Sequence, residues 1–498
     1  MDVNFIDTTF RDGSQSLWAS GMRGGMMEAV AEDMDRAGFY AIEVPANAIY
    51  FKKFIRDLKE DPWRLLASLA EKIRNTKKSC MGGTFNLNMF GPSTPPELGK
   101  LFYKMLAEMG ALDRIQSMSN THDQMTREYP TLVPIIKSLG IEVALAICYS
   151  ISPRHTDQHF AQKTRQAATF EPEVIYLKDA GGLLTPDRIR TLIPIIVENA
   201  GGIPVELHSH CTTGLAPLVY MEALKLGVPT LHTGIPPLAE GSAQPSVLAA
   251  ARNARLMGHS HNLDEDLLQS VSERLTAIAH QDNLPVGEPT QYDYWQYIHQ
   301  IPGGVISNLR FQLAGINMDD RLDEVIEESV RIREDLGYPM MITPHSQYMC
   351  TQAALNVSTG ERYKMVLDEL IRFAQGAYGE DAGYLEMDPD LRDKLLANPR
   401  AEDLAGMSSD RFADMSLKDA RALFGGAGVS DEEMLMRAIM QGDQEIEAMR
   451  AAGPARQYLT AGQPLKTLMR ELEKHKSVRY IQVQRGSDSL MLRNGAAG

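Results

Sequence analysis

The sequence predicts a (β/α)8 TIM barrel, followed by a helical domain and a small C-terminal helix-hairpin tail. Three observations lead there. Eight short apolar runs fall between residues 4 and 233, and the segments between them carry apolar residues at helical spacing. No Gly-x-Gly-x-x-Gly turn follows the first run, which disfavours the competing doubly wound open sheet. After Gly303 the strand-like runs stop and helices with charged faces take over. Alternating strands and helices imply a parallel sheet, and eight such units imply a closed barrel.

The runs are Asn4–Asp7, Ala41–Val44, Ser79–Met81, Arg114–Ser117, Glu142–Ala146, Val174–Lys178, Pro204–His210 and Leu231–Thr233. Between them, Arg23–Ala37, Pro95–Gly110 and Pro186–Asn199 show the helical period. From Arg321 to Arg450 charged helices alternate with Gly and Pro breaks, as in a helical domain packed against a barrel. A loose Gly- and Pro-containing connection spans Gly453–Pro464. Pro464–Lys474 is amphipathic, and Val478–Gln484 and Ser489–Arg493 alternate around Arg485–Gly486–Ser487–Asp488, a helix followed by a hairpin. The expected units are therefore a barrel over residues 1–302, a helical domain over 303–452, and a linker with helix-hairpin over 453–498.

Composition narrows the function. With 498 residues the chain exceeds one ordinary domain, and a hydrophobic content of 44% suits a globular core. The 50 Lys and Arg against 65 Asp and Glu give a net charge of −15, which argues against nucleic acid or an anionic membrane as main partner. Cys80, Cys148, Cys211 and Cys350 lie far apart with no Cys-x-x-Cys spacing, as expected of free thiols in a reducing cytosol. The start Met1–Phe10 has no basic region or long apolar run, and no run of apolar residues is long enough to span a bilayer. A cytoplasmic location is expected. The 27 methionines read as core filler.

In a parallel barrel the chemistry lies at the carboxyl ends of the strands. Four ends carry unusual polar residues: Thr9–Phe10–Arg11–Asp12–Gly13–Ser14–Gln15, Lys178–Asp179–Ala180–Gly181–Gly182, Glu206–Leu207–His208–Ser209–His210, and Glu240–Gly241–Ser242–Ala243–Gln244–Pro245. His208 and His210 stand two apart, so they point to the same side of a strand and can share an ion. Alone that spacing is weak, since histidines also serve as packed core residues. Asp12 at another strand end strengthens the metal reading, and two imidazoles with a carboxylate leave a position open for substrate. Lys178 stays open on physics alone. It is a solvated strand end, a salt-bridge partner, a desolvated nucleophile or base, or an amine that takes up CO2 as a carbamate.

Longer motifs carry a resemblance. Phe5–Ile6–Asp7–Thr8–Thr9–Phe10–Arg11–Asp12 with Gln15–Ser16–Leu17 resembles the opening of the carboxyltransferase domain of pyruvate carboxylase. It equally resembles the oxaloacetate decarboxylase alpha subunit and the transcarboxylase subunit acting on pyruvate. The match continues through Asp61–Pro62–Trp63, Lys178–Asp179, Gly182–Leu183–Leu184–Thr185–Pro186, His208–Ser209–His210 and Gln244–Pro245–Ser246. It goes on through His299–Gln300–Ile301–Pro302–Gly303–Gly304, Thr343–Pro344, Thr351–Gln352, Gly360–Glu361–Arg362–Tyr363–Lys364 and Tyr378–Gly379. The resemblance implies one divalent metal (zinc, manganese or cobalt) held by Asp12, an N-carboxylated Lys178, His208 and His210. It also implies that carboxybiotin enters the barrel mouth and releases CO2. A hydroxyl after the Pro-Gly-Gly turn shuttles a proton, and an enolate stabilised beside the metal and Arg11 captures the CO2. The family usually has threonine there; this chain has Ser307, which can relay a proton or bond to backbone as an ordinary turn residue.

The substrate side departs from the family. Pyruvate-type members hold the substrate carboxylate with an arginine in an Arg-Gly-x-Asn motif on the third strand. Here Cys80–Met81–Gly82–Gly83–Thr84–Phe85–Asn86–Leu87 has none, and the usual aromatic falls near Met89–Phe90. The second-strand Trp-Gly-Gly-Ala-Thr-Phe-Asp becomes Pro45–Ala46–Asn47–Ala48–Ile49–Tyr50–Phe51, and the fourth-strand motif becomes Gln116–Ser117–Met118–Ser119–Asn120. Val305–Ile306 replace the Gln-Tyr before the relay residue. An arginine clamp is a strong way to hold a carboxylate. Its loss predicts a small-molecule acceptor bulkier or less anionic than pyruvate, in a pocket built from Gln15, Arg11, Gly82, Tyr50 and Phe51. A drifted pocket that still takes pyruvate is the simpler competing expectation.

No Ala-Met-Lys-Met biotinylation motif is present, so biotin is expected on a separate carrier protein working with a biotin carboxylase subunit. The segment from Leu465 to Arg493 resembles the start of biotin carrier proteins, or is a tail contacting its own domain or a dimer mate. Barrels of this family commonly dimerise, so a homodimer within a larger complex is expected. Three other functions compete. Lyases and aldolases of the same metal-barrel superfamily generally lack the metal-binding lysine. An oxaloacetate-type decarboxylase would run the transfer backwards. A non-catalytic scaffold would have no use for Asp12, Lys178, His208 and His210 together.

Overall fold

The computed structural model describes residues 1–88, 93–118, 121–405, 412, 414–458, 477–478, 480–485 and 488–493. Met89–Phe90, Ser119–Asn120, the expected helix Pro464–Lys474 and the Gly486–Ser487 turn lie outside them.

Eight parallel strands close into a barrel in chain order. They are β1 (Asn4–Asp7), β2 (Ala41–Glu43), β3 (Lys77–Gly82), β4 (Arg114–Ser117), β5 (Glu142–Cys148), β6 (Val174–Asp179), β7 (Val205–Ser209) and β8 (Thr230–Thr233). Closure is made by β1 on β8, from Asn4 opposite Thr230 to Asp7 opposite Thr233. Each strand coincides with an expected run to within a few residues. The reason is simple: barrel strands are buried on both faces, so they read as short apolar runs rather than alternations.

The surrounding helices form from ordinary signals. Pro186–Asn199 starts with Thr185, whose hydroxyl accepts from Arg188 N at 3.1 Å, and has Pro186 in its first turn, where the missing N–H costs nothing. It buries Ile189, Leu192, Ile193 and Ile196 against the barrel. Each such side chain stabilises by about 2 kcal/mol, and Leu192→Ala would cost about 2–5 kcal/mol. Arg23–Ala37 is two helices, Gly24–Glu28 and Ala31–Arg36, rather than one.

The helices after Gly303 divide their apolar contacts. A second core runs from Ile301 to Ala401 and includes Leu313, Val325, Ile332, Met349 and Phe373. Ala420, Met434, Leu435, Ile439, Ile446 and Met449 join the barrel's own core instead. There Trp63 Nε1 donates to Glu432 O at 3.3 Å. The helical stretch therefore wraps back to the outer layer of the first half of the barrel.

At the tail, β9 (Tyr480–Arg485) pairs antiparallel with β10 (Asp488–Arg493), with Arg485 opposite Asp488. This is the expected hairpin, with its first strand starting at Tyr480 rather than Val478. No described helix is long and apolar enough to cross a membrane. All four cysteines are free and buried.

Candidate active site and metal centre

Lys178 and His208 are paired neighbours on β6 and β7. His210 follows β7, and Asp12 lies in the widened turn Thr9–Gly13 after β1. Ligand atoms of Asp12, His208 and His210 all fall within 4.8 Å of one another, and all three residues are buried. His208 Nε2 is 3.5 Å from Asp12 Oδ2, His210 Nε2 is 3.6 Å from Asp12 Oδ1, and Lys178 Nζ is 3.8 Å from Asp12 Oδ2. The residues predicted as a metal set thus converge at the carboxyl end of the barrel.

Their surroundings fit a cation. His210 Nδ1 sits 2.7 Å from Ser242 O. A carbonyl only accepts, so Nδ1 carries the proton and Nε2 presents a lone pair. The amide Nε2 of Gln244 lies 3.2 Å from His208 Nε2 and 3.0 Å from His210 Nε2, while its Oε1 accepts from Thr8 Oγ1 at 2.6 Å. One amide donor faces two imidazole nitrogens that point at a common position, where a divalent ion would meet them. Burial keeps both imidazoles neutral, the ligating form: His208 is held well below the ordinary histidine range and His210 below it. Burial alone would raise the Asp12 carboxyl, but Arg11, His210, Lys178 and His208 hold it well below the usual carboxylate range.

Burial also lowers the Lys178 amine, against the pull of Asp12, so its neutral form is nearer to hand than in an exposed lysine. Arg11 is fully enclosed. Its Nε donates to Glu43 Oε2 at 2.7 Å, and its Nη2 lies 2.9 Å from Asp12 Oδ2. Arg11 therefore lies between two carboxylates, Glu43 and Asp12, and holds Asp12 in place.

The predicted pocket residues are placed unequally. Gln15 is half-buried at the rim, with no protein hydrogen-bond partner among the described residues, beside the start of helix Gly303–Gly315. Gly82 ends β3, next to Tyr103. Tyr50 is buried, with its hydroxyl donated to Arg11 O. Phe51 packs edge-to-face on Trp63 and Phe102, with ring centroids 4.9 and 5.1 Å away. In these positions Tyr50 braces Arg11 and Phe51 fills the helical shell. Ser307 Oγ donates to Ser16 O at 3.2 Å and Gly303 O at 3.1 Å, and Ser16 Oγ reaches Asp12 Oδ1 at 3.1 Å. Ser307 is thus one residue removed from a candidate ligand. Gly303 allows this close docking, because a Cβ there would lie 2.3 Å from Ser242 Cβ.

Sequence reasoning gave no role to Glu43, Arg114, Gln244 and His232, which are buried polar neighbours of the candidate ligands or of the groups behind them. Gln244 stood in a quoted motif without a role. Glu43, Arg114 and His232 lie inside short apolar runs, where only a charged residue amid apolar neighbours hints at a buried partner.

Residues 297–479 match the conserved carboxylase domain family. A pyruvate carboxylase subunit from Methanocaldococcus jannaschii is 35% identical over 398 residues, covering 79% of this chain and 68% of that protein. The methylmalonyl-CoA carboxyltransferase 5S subunit of Propionibacterium freudenreichii subsp. shermanii is 30% identical, covering 93% of this chain and 90% of that protein.

This chain belongs to the pyruvate carboxylase-type carboxyltransferase family.

It is an enzyme of the carboxyltransferase class that serves biotin-dependent carboxylases. Another relative, the 2-oxoglutarate carboxylase large subunit of Hydrogenobacter thermophilus, is 32% identical over 88% of this chain and 67% of that protein. The fold is that of the carboxyl transferase domain of Rhizobium etli pyruvate carboxylase with oxamate and biotin. The TM-score is 0.79 at 21% identity, covering 91% of this chain and 77% of that one.

Proposed function

We propose that this carboxyltransferase moves CO2 from carboxybiotin, borne on a separate carrier protein, to an enolisable carbonyl acceptor bulkier or less anionic than pyruvate. The observation that carries the acceptor reading is the end of β3. A Cβ on Gly82 would lie 2.7 Å from the Tyr103 hydroxyl, and one on Gly83 would lie 1.9 Å from Ser117 Oγ. The residues Cys80–Leu87 supply no cation, neither glycine takes a side chain without moving its neighbour, and Arg11 is already paired with Glu43 and Asp12. A dianion-forming acceptor such as pyruvate would lack its usual charge partner there.

Asp12, His208, His210 and Lys178 would hold one divalent ion, zinc, manganese or cobalt. Such an ion supplies Lewis acidity to a carbonyl oxygen and offsets enolate charge. The chain's own groups do the rest. The neutral Lys178 amine adds to CO2, forming an N–C bond and releasing one proton, which yields an anionic ligand oxygen. Arg11 and Ser16 fix Asp12, and Gln15 offers a free amide to a substrate carbonyl. Ser307 takes a proton at Oγ as it passes its own to the accepting atom. The barrel's helical neighbours keep the amine and imidazoles dry.

The named relatives are subunits, which supports work beside a biotin carboxylase and a carrier; a homodimer as the core is part of the same proposal. A second reading, pyruvate itself as acceptor, is favoured by the 35% identity to a pyruvate carboxylase subunit. A carboxyl-exchange assay separates the two. The protein is mixed with a carboxylated biotin carrier and offered pyruvate, bulkier ketones, 2-oxoacids and acyl thioesters. Turnover of a bulkier acceptor with pyruvate inert supports the rebuilt pocket, and turnover of pyruvate overturns it.

A further inference from the structure

Behind His208, away from Asp12, a chain of buried polar groups crosses the barrel interior. His208 Nδ1 lies 3.2 Å from Nδ1 of His232 on β8. His232 Nε2 lies 3.2 Å from Glu206 Oε2, two residues before His208 on β7. Arg114 Nη2, from β4 across the barrel, lies 2.6 Å from the same oxygen. Tyr176 on β6 stacks on the His232 ring at 5.6 Å and 13°, which fixes the plane of the ring. His208, His232 and Arg114 have no exposure and Glu206 only 3%.

We propose that His232 and Glu206 form a positioning dyad that selects the tautomer of His208 and thereby makes its Nε2 a metal ligand. This inference rests on the metal site proposed above. The direction of the chain follows from donor chemistry. A carboxylate paired to a guanidinium accepts and does not donate. His232 therefore donates from Nε2, and in the neutral ring this leaves a lone pair on Nδ1. That lone pair accepts from His208 Nδ1–H, which leaves His208 Nε2 unprotonated and facing Asp12 and His210. The bare carbonyl of Ser242 sets His210 the same way in one step. His208 needs the interposed ring because Glu206, on its own strand, reaches His232 rather than His208. Without His232 the Nδ1 proton has no acceptor, and the competing Nε2–H tautomer places a hydrogen where the ion must bind.

The test uses two substitutions with opposite expectations. His232→Phe keeps the stacked ring and cuts the chain. His232→Gln can accept through its carbonyl and donate through its amide, so it keeps the direction. Wild-type and both variants are stripped with chelator and titrated with Co2+, following the visible absorption of the bound ion well below the melting temperature. His232→Phe should bind about 10–100-fold more weakly, His232→Gln should stay within about threefold of wild type, and KM for the acceptor should be unchanged in both. Wild-type affinity in His232→Phe, or an equal loss in both variants, overturns the dyad while leaving the metal site standing. If the wild-type protein itself binds no Co2+, the metal-site reading falls and the dyad with it. Histidine 15N NMR of the metal-free wild-type protein needs no substitution: protonated Nδ1 on His208 is expected, and protonated Nε2 overturns the proposal.

Discussion

Lys178 Nζ lies 3.8 Å from Asp12 Oδ2 with its side chain buried, and burial pushes its amine below the usual lysine range. A neutral amine can add to CO2, and a carbamate there would sit beside the three candidate ligands Asp12, His208 and His210. Lys178→Ala should therefore lower metal affinity by at least about tenfold and abolish carboxyl transfer; metal analysis after dialysis and the exchange assay check both. Full activity in that variant would remove the carbamate ligand. Ser307 predicts the opposite split. Its hydroxyl touches Ser16 and Gly303 rather than a candidate ligand, so Ser307→Ala should leave metal content intact while slowing transfer by about 10²–10⁴-fold. Unchanged turnover would make Ser307 an ordinary helix-start residue. That Asp12, Lys178, His208 and His210 meet was legible because ligand chemistry and the same-side spacing of a strand announce themselves in sequence. Tyr50 and Phe51 were not, because a one-dimensional motif does not say which side of a short helix faces the mouth. Their observed partners, Arg11 O and the Trp63 and Phe102 rings, belong to other elements, so these contacts depend on how the elements pack.

At the scale of elements, β3 and the turn after it decide what the mouth can hold. Gly83 adopts φ of +117°, and a Cβ there would lie 1.9 Å from Ser117 Oγ on β4. Both backbone conformation and space demand glycine. Gly83→Ala should cost about 2–4 kcal/mol, from strain and displacement of Ser117; denaturant titration measures it, and a loss below about 0.5 kcal/mol would mean the strand end has slack. Such slack would also weaken the case that this rim refuses a clamping arginine. The strands themselves were legible almost residue by residue, since each is a doubly buried apolar run. The helices were less so. Ala29–Val30 break the expected Arg23–Ala37 helix into two pieces without a proline or glycine at the break to mark it. The last helices return to the barrel because Met434, Leu435 and Ile439 find the face near Trp63, a choice set by tertiary packing that periodicity does not encode.

Across the whole molecule, buried histidines tie stability to pH. His299 and His345 are almost fully buried, and desolvation lowers each to about 4. His299 Nδ1 accepts from Ile301 N at 3.1 Å, a bond that protonation would break. His345 packs among the rings of Tyr348, Phe373 and Tyr378 in the second core. In the unfolded chain both titrate near the ordinary histidine value of about 6.5. Between that value and about 4 the unfolded state binds more protons than the folded one, so stability is fully present above pH 6.5 and falls as pH drops toward 4. Each group should cost about 2 kcal/mol between pH 7 and pH 5. His155 and His159 of the barrel's outer layer and His208 and His210 in its mouth are lowered by burial as well, so acid should weaken the barrel and the helical unit together. Denaturation at the two pH values, with chelator present so that loss of metal does not contribute, measures the slope. His345→Phe keeps an aromatic ring in the cluster and removes one proton site, and should recover that site's share of the difference, about 2 kcal/mol. An unchanged slope in that variant would mean that His345 is already protonated, or reached by water, in the folded protein.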